Sequence, residues 1–161
     1  MEKQIKTMRI LSTALISITL LAFSSCTDAQ EAGQNETHQE ISKTRIINVS
    51  VQQFSKLIAK GDGIILDVRT HEETAQGHIE GASFIDIFDN RFEQKINLME
   101  KEKPIYVYCR SGARSSKAAG IMKKNGFKTI YNLQGGIGAW TGAGFAVTSQ
   151  EAISYEKAQE L

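Results

Sequence analysis

The chain has 161 residues, about 41% hydrophobic and 23% charged, with a formal net charge of +1. That length suits one domain with its own core, and the near-neutral balance supplies no overall field that would draw the protein to nucleic acid. Two cysteines in very different surroundings, Cys26 and Cys109, argue against a disulfide framework.

The first residues read as a targeting segment. Lys3, Lys6 and Arg9 precede a mostly apolar run from Ile10 to Phe23. A membrane-spanning helix needs about 20 apolar residues, so this run is short for a span and has the layout of a secretory signal peptide. It ends in Phe23-Ser24-Ser25-Cys26, which resembles the lipobox of bacterial lipoproteins, with Phe23 where leucine is more usual. The resemblance implies lipidation of Cys26, removal of residues 1–25, and a protein held on the membrane of a bacterial cell envelope, facing the periplasm or the outside. From 26 to 44 the chain is rich in Gln, Glu, Asn, Thr and Ser. Such a stretch buries too little apolar surface to offset its ordering entropy and is expected to be a flexible linker.

The folded domain is expected over 45–148. Ile46, Ile47 and Val49 form a short β-like run. Ser50 and Gln53 have capping-box spacing at the head of a helix over Val51 to Lys60, with Phe54, Leu57 and Ile58 on one face. Gly61 and Gly63 lead into Ile64-Ile65-Leu66, an apolar run suited to a buried parallel strand. A turn or short helix is expected over 70–76, a strand over Ala82 to Ile85, and a helix over Asn90 to Met99 with Phe92, Ile96 and Met99 on one face. Ile105-Tyr106-Val107-Tyr108 is the clearest strand. A helix from Arg114 to Asn125 stops at Gly126, and Ile130 to Leu133 is the last strand. Residues 149–161 are polar and weakly helical, a frayed tail or a terminal helix. This alternation predicts an α/β fold: a mainly parallel central sheet with helices on both faces.

The chemistry concentrates at Cys109-Arg110-Ser111-Gly112-Ala113-Arg114-Ser115, between the clearest strand and the helix that follows. In open α/β sheets, ligands bind beyond the carboxyl ends of strands. A helix start offers free N–H groups and the positive end of the dipole. A loop containing Gly112 can turn several N–H groups inward as an anion cradle, and Arg114 can add a planar fork for an oxyanion. The same field favours a thiolate, so Cys109 reads as a nucleophile and residues 110–114 as its substrate-binding loop. Asp67, Arg69 and His78 read as structural support. Asp67 ties down backbone donors at a strand end, Arg69 pairs with Glu72 or Asp67, and His78 bonds backbone. Gly135 and Gly136 make a tight turn, and Trp140 belongs to the core.

The Cys109–Arg114 segment resembles the active-site loop of the rhodanese family, a cysteine opening a six-residue loop that ends in arginine. Leu66-Asp67-Val68-Arg69 with Glu72 and Gly77-His78-Ile79-Glu80-Gly81-Ala82 resembles the family's first signature. Leu133-Gln134-Gly135-Gly136-Ile137-Gly138-Ala139-Trp140 resembles its C-terminal one. Thr74 stands where an aromatic is usual, and His71 and Glu80 where prolines are common. The resemblance implies a sulfurtransferase. A persulfide on Cys109 would carry sulfur from a small anionic donor such as thiosulfate to a thiol or cyanide-like acceptor, with no metal or organic cofactor. Two alternatives use the same residues: a persulfide carrier serving an envelope partner, and a phosphatase or arsenate reductase. Related phosphatases place one more residue between Cys and Arg; here four separate Cys109 from Arg114.

Overall fold

A computed structural model describes residues 43–150 and 153–158; the apolar run, Cys26 and nearly all of the expected linker lie outside them. Among the described residues six strands form one sheet in the order β1-β5-β4-β2-β3-β6: β1 (Arg45–Val49), β2 (Ile64–Asp67), β3 (Ser83–Phe84), β4 (Ile105–Tyr108), β5 (Thr129–Leu133) and β6 (Ile153–Ser154). Every pairing in this sheet is parallel. The helices are α1 (Val51–Ile58), α2 (His71–Ala75), α3 (Phe92–Ile96), α4 (Ala113–Lys124), α5 (Gly136–Gly142) and α6 (Tyr155–Ala158).

Central strand β4 shows why the sheet needs both faces covered. All four of its residues are buried, and side chains alternate across a strand. Ile105 and Val107 enter a core with Phe92 and Ile96 of α3 and Ala118, Ala119 and Met122 of α4. Tyr106 and Tyr108 enter a second core with Val51 and Phe54 of α1 and Ile137 and Trp140 of α5. In that second core Phe54 meets the rings of Tyr106, Tyr108 and Trp140 edge-on at centroid distances of 6.0, 6.5 and 6.2 Å, the arrangement favoured by ring quadrupoles. The expected α/β class with helices on both faces is the one found.

Local signals place most element starts. Ser50 Oγ accepts from Gln53 N while Gln53 Oε1 accepts from Ser50 N, closing the expected capping box. Helix α1 ends at Ile58, short of Lys60, because Lys60 and Gly61 bond back to Leu57 and Ile58 in tighter turns and Gly61 adopts φ +68°. The helix expected over Asn90 to Met99 contracts to Phe92–Ile96, yet Phe92, Ile96 and Met99 are all buried as its face required.

Of the two readings of the stretch from Ser149, a frayed tail or a terminal helix, the helix is found as α6 (Tyr155–Ala158), and an edge strand precedes it. Ile153 and Ser154 align with Ser83 and Phe84, so β6 covers the outer edge of β3. Tyr155, 2% exposed, joins the core built by α3 and α4. The sheet therefore extends past the boundary at 148 that composition suggests. A two-residue edge strand and one aromatic ring are too brief to produce a periodic pattern, but they remove an open edge and fill core volume.

Candidate active site

Strand β4 ends inside the protein and delivers Cys109 with no exposed surface. The chain then turns through Arg110 and Ser111 to Gly112, which adopts φ +96° as the N-cap of α4. That left-handed conformation suits glycine. It aims the Gly112 N–H back at Cys109 Sγ, 3.1 Å away. The Ser115 hydroxyl lies 3.6 Å from the same sulfur and 3.1 Å from Gly112 O, its single proton serving one of them at a time. Burial alone would push the Cys109 thiol up. The Ser115 hydroxyl and the backbone N–H groups of Ser115, Ser111 and Gly112 outweigh it, so the thiol lies below its ordinary value. This is the contest between desolvation and contact hydrogen bonds that decides cysteine acidity.

A second loop braces the first. Ile137 N donates to Cys109 O at 2.8 Å and Gly138 N to Arg110 O at 3.1 Å. These bonds require Gly136, at φ +58°, to lie so close that a Cβ there would sit 2.3 Å from Cys109 O and 2.7 Å from Arg110 C and O. The Gly135-Gly136 pair thus does more than turn the chain after β5. It lets the start of α5 approach the cysteine loop backbone to backbone.

Of the loop's side chains, Arg110 and Ser111 are exposed and Ala113 is exposed at the helix start. Arg110 borders a cleft of about 360 Å³ beside the loop, shared with Arg69, Glu73 and Gly138. Arg114 is partly buried, and its fork is engaged by Glu73: Nη1 to Oε2 and Nη2 to Oε1, each 2.6 Å. The end of the fork expected to meet an oxyanion is therefore taken up by a carboxylate of the chain itself. The Arg114 guanidinium draws the Glu73 carboxyl down to about 2 despite some desolvation. Glu73 in turn is the main cause holding Arg114 protonated, with a smaller contribution from Cys109 nearby.

Asp67, Arg69 and His78 form the floor behind this pair. Asp67 accepts from Arg69 Nε at 2.9 Å and Nη2 at 2.6 Å, and from Arg69 N at 2.9 Å. Arg69 also donates to the carbonyls of Glu73 and Gly77 at 3.2 and 2.7 Å, so its carboxylate partner is Asp67, not Glu72. Both residues are buried, at 1% and 5% exposure. His78 places Nδ1 3.3 Å from Thr74 O and bridges Thr148 through its backbone. Trp140 is buried and donates Nε1–H to Ala146 O at 2.8 Å.

Two residues of this site escape a reading of the loop motif alone, Glu73 and Ser115. Thr70 and Glu73 carry the same capping-box spacing as Ser50 and Gln53, and the box is formed at the head of α2. That spacing marks Glu73 as a helix-start residue but gives no hint of Arg114. Ser115 stands in the first turn of α4, where a hydroxyl can face back toward the preceding strand.

Residues 50–143 match the Rhodanese-like domain family. The chain is 35% identical over 106 residues to "Putative sulfur carrier protein YrkF" of Bacillus subtilis, covering 65% of this chain and 56% of that protein. It is 41% identical over 78 residues to "Uncharacterized protein YqhL" of the same organism, covering 48% of this chain and 60% of that protein. It therefore spans less than two thirds of either relative. Among solved structures, a rhodanese-related protein from Thermoplasma volcanium superposes with a TM-score of 0.58 at 25% identity, over 65% of this chain and 99% of that one. With the cysteine loop, the first signature and the C-terminal signature all inside the matched span, the chain belongs to the rhodanese-like domain family.

Proposed function

We propose that the protein is a sulfurtransferase that carries a sulfane sulfur as a persulfide on Cys109. The observation that carries this reading is the thiol itself: a buried cysteine whose sulfur faces the Gly112 N–H and the Ser115 hydroxyl and is more acidic than usual. The Cys109 thiolate attacks the outer sulfur of thiosulfate. The S–S bond of the donor breaks, sulfite leaves with the electron pair, and the negative charge passes to the terminal sulfur of the new persulfide. The loop N–H groups that favour the thiolate stabilise that charge too. A thiolate or cyanide then takes the terminal sulfur and returns Cys109 as thiolate, a transfer divided into two steps by a covalent intermediate. The cleft beside Arg110 offers the acceptor an approach.

Incubation with thiosulfate should add one sulfur atom to Cys109, read by mass spectrometry, and cyanide should remove it. The loading rate should follow the thiolate fraction. A free thiol titrates near ~8.5; with the Cys109 thiol shifted down, the fall in rate on acidification should come at a lower pH than for a free thiol. A chain that takes no sulfur, or a pH profile matching a free thiol, would defeat the reading. The similarity to a protein named as a sulfur carrier supports a second version, in which the persulfide is handed to a partner protein. Loading would then be as fast, but steady-state turnover with cyanide or small thiols would be slow.

The basic start, the apolar run and Ser24-Ser25-Cys26 further support placement on a bacterial envelope membrane through lipid on Cys26. Mass spectrometry of the mature protein should find acyl groups on Cys26 as the first residue; an intact Met1 would sink that placement.

A further inference from the structure

Of the loop's two arginines, Arg110 is exposed at the cleft, whereas Arg114 already has the end of its fork occupied. Both terminal nitrogens are bonded by Glu73 at 2.6 Å. The carboxylate is itself held from behind. Its Oε2 accepts from Thr70 N at 3.2 Å, and the Glu73 backbone carbonyl accepts from Arg69 Nη1 at 3.2 Å. Arg69 cannot follow a displaced Glu73, because Asp67 clamps it. The ring of Phe88 covers the Arg114 guanidinium, 5.7 Å from its centroid. A planar guanidinium bound along one edge and stacked on one face is not free to turn toward a new anion.

We propose that Glu73 is a specificity-determining residue: its carboxylate takes the place of an oxyanion on Arg114, so the loop holds a donor by its transferable sulfur and discriminates against sulfate and phosphate, anions of the same shape that have no such sulfur. The paired charges of Glu73 and Arg114 largely cancel at the mouth of the loop. What remains for a substrate is the set of N–H groups around Cys109, which suits a transferable sulfur, with the exposed Arg110 at the cleft. An anion without such a sulfur must either displace Glu73 from a charge-assisted bidentate contact or bind without the Arg114 fork.

The proposal rests on the sulfurtransferase reading for the choice of donor, and its test is made separable by measuring binding without turnover. In a Cys109→Ser background, which forms no persulfide, sulfate, phosphate and thiosulfate are titrated calorimetrically. Glu73→Gln should tighten sulfate and phosphate by roughly tenfold or more, a change of about 1.4 kcal/mol, and thiosulfate, already held by its sulfur, by less; an equal gain for all three would overturn the assignment. Adding Arg114→Ala should erase that gain, since the fork it frees is gone. Unchanged affinities in Glu73→Gln, or a gain that persists without Arg114, would overturn the assignment. Should Glu73→Gln not fold, Glu73→Asp draws the carboxylate back from the fork and should shift affinity in the same direction. If neither variant folds, Glu73 is a structural strut and the proposal fails. Failure of the unmodified chain to take sulfur from thiosulfate would instead count against the sulfurtransferase reading and leave these affinities as they stand.

Discussion

Replacing Gly136 by alanine is expected to lower sulfur loading of Cys109 by two orders of magnitude or more while the sheet survives. Two costs combine. At φ +58° the new residue must hold a left-handed backbone, roughly 1–2 kcal/mol for a residue with a Cβ. The larger cost is steric. The Cβ would meet Cys109 O at 2.3 Å and the Arg110 carbonyl at 2.7 Å. These are backbone atoms, which cannot rotate out of the way. Either α5 retreats or the cysteine loop does, and in both cases the bonds from Ile137 N to Cys109 O and from Gly138 N to Arg110 O are lost. The loop then no longer presents the Gly112 N–H to the sulfur, and each ~1.4 kcal/mol lost at the reacting atom is another tenfold in rate. Loading kinetics, with circular dichroism as the check on fold, decide the matter. Gly120 is the control. It lies inside α4 with open space around it, so Gly120→Ala should leave loading intact and stabilise the helix by about 0.5–1 kcal/mol. Unchanged loading in Gly136→Ala would show that the brace from α5 is dispensable.

Asp67→Ala should remove roughly 3–5 kcal/mol of folding stability, the usual consequence of leaving a buried charge without its partner. Arg69 is 5% exposed, and among the described residues its carboxylate contacts come from Asp67. Without them it remains bonded to the carbonyls of Glu73 and Gly77, which supply no counter-charge. Either the cation stays buried and unpaired, or α2 opens and water enters beneath the site. Urea unfolding should show a midpoint shift of matching size. Because breaking a pair costs more than the pair itself contributes, Asp67→Leu combined with Arg69→Met should recover part of the loss. A single variant as stable as the parent would mean that the guanidinium reaches solvent.

The parts legible in the sequence are those written in short stretches of chain. Tyr108-Cys109-Arg110-Ser111-Gly112 reads as strand, turn and helix start because the β-branched and aromatic run, the glycine and the helix that follows are contiguous, and backbone conformation responds to near neighbours. Ser50 with Gln53 announces α1 for the same reason. The alternating burial of Ile105, Tyr106, Val107 and Tyr108 follows from the two-residue period of a strand. The strand order β1-β5-β4-β2-β3-β6 is of another kind, since it depends on which runs of similar apolar character lie side by side. So do the closing of the Arg114 fork by Glu73, 41 residues earlier, the approach of Gly136 to Cys109, and the place of Tyr155 beside α3 and α4. No local pattern carries these contacts. They exist because a parallel sheet sets its strand ends, and the loops that leave them, at one edge of the fold. By itself, then, the sequence placed Cys109 between a strand and a helix start and announced both of those elements. Packing alone decided which glycine braces the loop and which carboxylate answers its arginine, because those choices are made by distance in space between residues far apart along the chain.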